Sequence, residues 1–279
     1  MYYQGNLDKL IDLALEEDIG TGDITTDHLV PPDTVAQATI VAKEELILAG
    51  MDVARRVFQR LDPLVGFDVH LGDGQTAPPG STVVSIKGNL AALLMAERTA
   101  LNFLQRLSGI ATHVHAFVNT LRGHSVRLVD TRKTTPGWRV LEKYAVRMGG
   151  GANHRMGLFD GVLIKDNHIA VSGGIRTAVE RIRRQVSHLT KIEGETSTLD
   201  EVSEALAAGA DVIMLDNMDL KRIKAAVSLI HGHALVEVSG GIKRADLVAL
   251  AQTGVDLISV GALTHSAGAV DLSMRIESH

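Results

Sequence analysis

Cysteine is absent from all 279 residues, which excludes disulfides and thiolate metal sites and fits a reducing compartment. Aromatic residues are only 3% of a chain that is 45% hydrophobic. That balance suits an Ala- and Gly-rich α/β fold better than a β-sandwich. No run approaches the ~20 apolar residues of a membrane span. The opening "MYYQGNLDKLIDLALEED" lacks the basic flank and unbroken apolar core of a signal peptide, so a soluble cytoplasmic protein is expected. No HExxH or paired-histidine spacing occurs, and no dedicated transition-metal site is expected. A net charge of −5, dispersed along the chain, argues against nucleic acid as a partner.

Positive charge, scarce overall, is concentrated in one place. From Arg127 to Lys165 there are eight Lys/Arg against three Asp/Glu, so the remainder carries about twice the net negative charge of the whole. Within it, "SVRLVD" runs as an apolar strand straight into "TRKTTPGWR", placing Thr131, Arg132 and Lys133 at the strand's end. An anionic ligand is expected there.

Two textures divide the chain. Residues 7–17 carry Leu7, Leu10, Ile11 and Leu15 at helical spacing, with Asn6 as the expected N-cap. Residues 34–86 alternate like short strands broken by Gly-Asp-Gly and Pro-Pro turns, a small sheet-bearing domain. "NLAALLMAERTALNFLQRL" predicts a helix over 89–107 opened by Asn89; Glu97 interrupts its apolar stripe and Arg98 borders it. From the residues alone, a structural Glu97–Arg98 pair is the favoured reading. Beyond residue 110, six apolar runs alternate with helical stretches: "VRLVDT", "DGVLIK", "KIEGE", "DVIMLD", "LVEVSG" and "LISVGA". Strands apolar on both faces and joined by helices predict a covered parallel sheet, which a βα-barrel and a doubly wound sheet both satisfy. One intervening helix announces itself through Thr198 and Glu201, a capping box, and Gly209 at its end.

Each run ends on polar or small residues: Asp130 to Lys133, Lys165 to His168, Glu195, Asp216-Asn217, Ser239 to Gly241, and Gly261. In βα-barrels the loops at those ends carry the active site. The early ends supply the cations Arg132, Lys133, Arg155 and Lys165, the middle ones the carboxylates Glu195 and Asp216. The last two supply "SGG" and "VGA", whose backbone N–H groups can cradle a phosphate. Phosphoribosyl pyrophosphate has that layout. His154 and His168, taken singly, read equally well as cap or core histidines.

The segments "LLMAERTALNFLQRLSGIAT", "DTRKTTPGWR", "GGGANHRMGLFDGVLIKDNH", "IMLDN", "EVSGGI", "ISVGALTHS" and "DLSMR" resemble quinolinate phosphoribosyltransferase over nearly the whole chain. The resemblance implies an N-terminal α/β open-sandwich domain over 1–108, rejoined by 266–279, and an incomplete, seven-stranded α/β barrel over 109–265. With six strands legible, the seventh is expected between 109 and 125 or between 145 and 157. The implied unit is a homodimer, or a higher assembly of it, whose active sites draw on both subunits. Arg132, His154, Arg155 and Lys165, with Thr131, would hold the carboxylates of quinolinate, and Arg98 would reach into the neighbour's site. Lys133 would meet the pyrophosphate. Glu195 and Asp216 would contact the ribose hydroxyls, directly or through Mg²⁺. Ser239, Gly240, Gly241, Val260, Gly261 and Ala262 would bind the 5′-phosphate. One departure stands out: "IEGET" replaces the family's usual "IEVEV", putting Gly194 and Thr196 where apolar residues are common.

The implied reaction turns quinolinate and phosphoribosyl pyrophosphate into nicotinate mononucleotide, pyrophosphate and CO₂, with Lys133, Lys165, Glu195 and Asp216 as the catalytic set. Three rivals compete with it. A Schiff-base aldolase would use Lys165. The molybdenum-operon relative of the family would take another acceptor, which the intact "TRK" and "NHR" cations disfavour. A non-enzymatic phosphate sensor has no use for Glu195 and Asp216 beside so many cations.

Overall fold

Alternating burial builds the first sheet. Along Val35–Ala42, Ala36, Ala38, Ile40 and Ala42 are buried while their neighbours face outward, the two-residue period of a strand covered on one side. The computed structural model describes residues 4–277, and in it this strand lies between Leu272–Ile276 and Thr82–Asn89, with Gly66–Val69 on the far edge, all antiparallel. The closing strand thus returns to the N-terminal sheet, Met274 opposite Ile40. The first helix runs over Gln4–Ile19, so Asn6 lies inside it rather than at its cap.

The helix expected over 89–107 spans Leu90–Thr120, well past 107. Asn89 opens it as read, its Oδ1 accepting from the Ala92 N–H at 3.1 Å. Because that helix continues to Thr120, no strand lies between 109 and Thr120. The chain forms two compact units. One unit holds the described residues up to His115, Thr135–Gly150, and those from Ala267 on; the other holds Ala116–Thr134 and Gly151–Ser266. The helix Arg139–Met148 therefore belongs to the first unit, with Trp138 stacked on Phe103 at 4.7 Å.

The second unit carries the six strands read from the sequence: Arg127–Val129, Val162–Ile164, Ile192–Thr196, Val212–Asp216, Leu235–Ser239 and Leu257–Ser259. The second to sixth pair in parallel with their neighbours in chain order, and the first pairs in parallel with the last, Leu257 opposite Arg127. A sheet in that order brings its sixth strand round to its first, so it curls into a barrel left open between the first and second strands. The expected seventh strand is reduced to a single parallel bridge between Ala152 and Val129. Gly149, Gly150 and Gly151 lead into it, and such a run lacks the side chains that would hold a longer strand.

Local signals behave as their chemistry requires. The Thr198 side chain accepts from Glu201 N, Glu201 answers to the cap backbone, and Gly209 leaves the helix at φ +78. Gly194 and Thr196 are both accommodated. A Cβ on Gly194 would stand 3.1 Å from Ile175 Cδ1, so Ile175 fills the space of a missing side chain. The buried Thr196 hydroxyl donates to Met214 O at 2.9 Å, which removes the penalty for a polar group in the sheet.

Candidate active site at the rim of the parallel sheet

One cavity of about 820 Å³ opens at the C-terminal ends of the strands. Every strand contributes to its lining: Lys133, Lys165, Glu195, Asp216, Ser239 and Gly261 each follow or end a different one. Thr131, Arg132, His154, Arg155, Gly240, Gly241, Val260 and Ala262 line it as well. All the expected site residues except Arg98 therefore meet in one hollow. Arg98 belongs to the first unit, where its exposed guanidinium pairs with Glu97 at 3.0 Å.

At one end lie two glycine turns. Gly240 has φ +103, and a Cβ there would fall 2.9 Å from the Asn217 backbone nitrogen. Glycine is thus required both by the left-handed backbone and by the close approach of the preceding strand's loop. Gly261 is needed for a different reason: a Cβ would meet Lys133 Cδ at 2.9 Å. Lys133 is also pinned through its backbone, since Thr264 Oγ1 donates to Lys133 O at 2.7 Å and Lys133 N donates to Thr131 Oγ1 at 3.0 Å. An ammonium beside exposed backbone amides makes an anion cradle.

Arg132, Arg155 and Lys165 stand at other points of the wall. Burial lowers the Arg155 pKa from its ordinary value, Arg132 lowers it further by repulsion, and Glu193 opposes both. Its guanidinium donates to Gly161 O at 2.9 Å. A site holding two guanidiniums this close gains by taking in an anion that neutralises both. Lys165 pairs with Glu195 at 3.4 Å, linking the cations to the carboxylates, and Asp216 accepts from Asn217 Nδ2 at 2.7 Å. His168 caps its helix, Nδ1 accepting from Lys165 N at 3.0 Å, and is no part of the cavity lining.

Several lining residues carry no signal of their own in the sequence: Ile242, Lys243 and His265 beside the glycine turns, and Glu237 on the wall. Glu237 is only 1% exposed and Glu193 6%. Burial, reinforced by the negative charge of Glu193, pushes the Glu237 carboxyl up to about 7. A signal for both was present. Glu193 and Glu237 stand two residues before Glu195 and Ser239 on their strands, and residues two apart on a strand share a face. With His154 they form a group whose donor atoms lie within 4.8 Å of one another, the one such histidine–carboxylate cluster among the described residues.

Comparison with known proteins covers the whole arrangement. Residues 110–275 match the C-terminal domain of quinolinate phosphoribosyl transferase, and residues 23–108 match its N-terminal domain. The chain is 45% identical over 270 residues to the probable nicotinate-nucleotide pyrophosphorylase [carboxylating] of Bacillus subtilis, covering 97% of this chain and 93% of that one. It is 46% identical over 273 residues to the protein of that name from Synechocystis, covering 97% and 92%. The solved nicotinate-nucleotide pyrophosphorylase from Francisella tularensis superposes with a TM-score of 0.94 at 44% identity, covering 98% of this chain and 96% of that one.

Proposed function

The chain belongs to the quinolinate phosphoribosyltransferase family, and from that premise we propose how one cavity serves two substrates. The enzyme is a pentosyltransferase of NAD biosynthesis. It converts quinolinate and 5-phosphoribosyl 1-pyrophosphate to nicotinate mononucleotide, pyrophosphate and CO₂.

The observation that carries the assignment of roles is the convergence of all six strand ends on one hollow, with cations on the wall and glycine turns at one end. The turns at Ser239–Gly241 and Val260–Ala262 receive the 5′-phosphate, the glycines through backbone N–H groups, while Val260 donates its own N–H to Val129 O at 3.0 Å and fixes the turn. Lys133, lying over Gly261, meets the pyrophosphate. Glu195 and Asp216 face the ribose. Arg132, Arg155 and Lys165, with the Thr131 hydroxyl, take the two carboxylates of quinolinate, because planar guanidinium forks bind carboxylates bidentately. Each charge-assisted bond is worth roughly 1.5–3 kcal/mol, so a few orient a small dianion despite its desolvation.

Departure of pyrophosphate leaves positive charge on C1′. Lys133 neutralises the leaving group while Glu195 and Asp216 stabilise the developing cation. The pyridine nitrogen attacks C1′ and becomes cationic, and the ring then accepts the electron pair released as the neighbouring carboxylate leaves as CO₂. A proton replaces that carboxylate on the ring carbon. Glu195 and Asp216 offer the hard oxygen donors that suit Mg²⁺, and would hold it directly or through the ribose hydroxyls. Bound there with the pyrophosphate substrate, Mg²⁺ supplies further charge neutralisation.

Arg98, exposed in the first unit, serves the active site of a neighbouring copy in a homodimer. No described helix is long and apolar enough to cross a membrane. The cysteine-free composition supports a reducing compartment, the cytoplasm, as the place of action. Pyrophosphate release tests the reading: it is expected with quinolinate and negligible with nicotinate, which lacks the second carboxylate. Equal release with both acceptors overturns the dicarboxylate assignment.

A further inference from the structure

Three groups meet in the wall of the barrel, none with a role in the chemistry above except His154, to which the family resemblance gives a substrate carboxylate. His154 Nε2 lies 2.9 Å from Glu193 Oε2 and 3.7 Å from Glu237 Oε1. Its other ring nitrogen, Nδ1, accepts the backbone N–H of Arg155 at 2.8 Å. An imidazolium carries hydrogen on both nitrogens and has no acceptor, so a ring whose Nδ1 takes an amide hydrogen would carry its proton on Nε2, toward Glu193. Both ring nitrogens are thereby committed inside the protein.

The backbone around the ring is held as firmly. Asp130, fully buried at the end of the first strand, accepts His154 N at 2.8 Å and Asn153 Nδ2 at 2.7 Å. The next residue is Arg155, whose amide rests on His154 and whose guanidinium is anchored at Gly161. Glu193 also offsets the repulsion between Arg155 and Arg132.

We propose that Glu193, with Glu237 beside it, is a positioning residue: it holds the His154 ring through Nε2, and the ring's Nδ1 in turn holds the Arg155 amide, so that Arg155, and not His154, presents charge to the substrate's carboxylates. This rests on the reading of the cavity as a quinolinate site. A strut, unlike a ligand, contributes through the placement of its neighbour. A bound divalent cation on the same three donors is the rival account, because Glu193 Oε1 and Glu237 Oε1 are buried with no hydrogen-bond partner.

Two measurements on the full-length enzyme test the proposal. In the unsubstituted protein, ¹⁵N NMR of histidine is expected to show His154 at pH 7 as a neutral ring with Nδ1 unprotonated; a ring protonated on both nitrogens overturns it, with no dependence on whether any variant folds. In kinetics, Glu193→Ala is expected to raise KM for quinolinate on the order of tenfold while KM for phosphoribosyl pyrophosphate stays within about twofold, and Glu193→Gln, which keeps an acceptor for Nε2–H, to recover part of that loss. Equal rises in both KM values, no rescue by Gln, or a stoichiometric metal that co-purifies and is lost in Glu237→Gln each refutes it. An unsubstituted enzyme that fails to turn over quinolinate would instead refute the substrate assignment beneath it.

Discussion

Lys133 lies across Gly261 so closely that a single methyl group on Gly261 would displace it: the added Cβ would stand 2.9 Å from Lys133 Cδ. Gly261 has no left-handed backbone angle to protect, so Gly261→Ala should leave the fold intact while moving the lysine. A misplacement of about 1 Å at a reacting centre costs up to ~10²-fold, so kcat/KM for phosphoribosyl pyrophosphate should fall on the order of 10- to 100-fold with Tm almost unchanged. Steady-state kinetics beside a thermal melt checks both halves.

Arg155 is a partly buried cation whose guanidinium donates to the Gly161 carbonyl and whose charge Glu193 offsets. Arg155→Ala should raise KM for quinolinate by roughly 10- to 100-fold, the size of one or two lost charge-assisted bonds. KM for phosphoribosyl pyrophosphate should move little. Equal losses for both substrates would contradict the division of the cavity.

The exposed position of Arg98 in the first unit leads to a complementation test. Arg98→Ala and Lys165→Ala enzymes, each inactive alone, should recover about a quarter of full activity when subunits are mixed and exchanged, since half the dimers are mixed and each mixed dimer keeps one intact site. Exchange confirmed by mass, with no activity regained, would contradict a shared site.

Glu237 makes stability depend on pH. Its folded carboxyl, at about 7, lies above the ordinary 4.5, so the folded state keeps a proton that the unfolded chain has lost between those values. The group's contribution is full below about 4.5 and is lost as pH rises through about 7. Glu237→Gln mimics the protonated form, so relative to the parent it should gain on the order of 3 kcal/mol between pH 5 and pH 8. Urea melts of the two proteins at both pH values measure that difference.

Most of this site could be read before the fold was known, for a physical reason. Strands buried on both faces write themselves as unbroken apolar runs, and the polar residue ending each run marks the rim, as Lys165, Glu195 and Asp216 do. Helix ends at Asn89 and Thr198 were legible because capping is a local contact. What a segment packs against is not local. An amphipathic helix such as Arg139–Met148 shows an apolar face without saying which unit receives it, and it joined the first. The seventh strand was illegible because it is one bridging residue, Ala152. Glu193 and Glu237 are hidden in the sequence because an acidic residue within a strand reads first as its solvated face, and only closure of the sheet turns that face inward.

The most direct test of the convergent cavity is a stoichiometry. Incubated with quinolinate labelled at the 2-carboxyl, phosphoribosyl pyrophosphate and Mg²⁺, the enzyme should release labelled CO₂ and form nicotinate mononucleotide in equal amounts, with both products lost in Lys133→Ala and in Arg155→Ala at low quinolinate. No labelled CO₂, or CO₂ release that does not require phosphoribosyl pyrophosphate, would contradict the account.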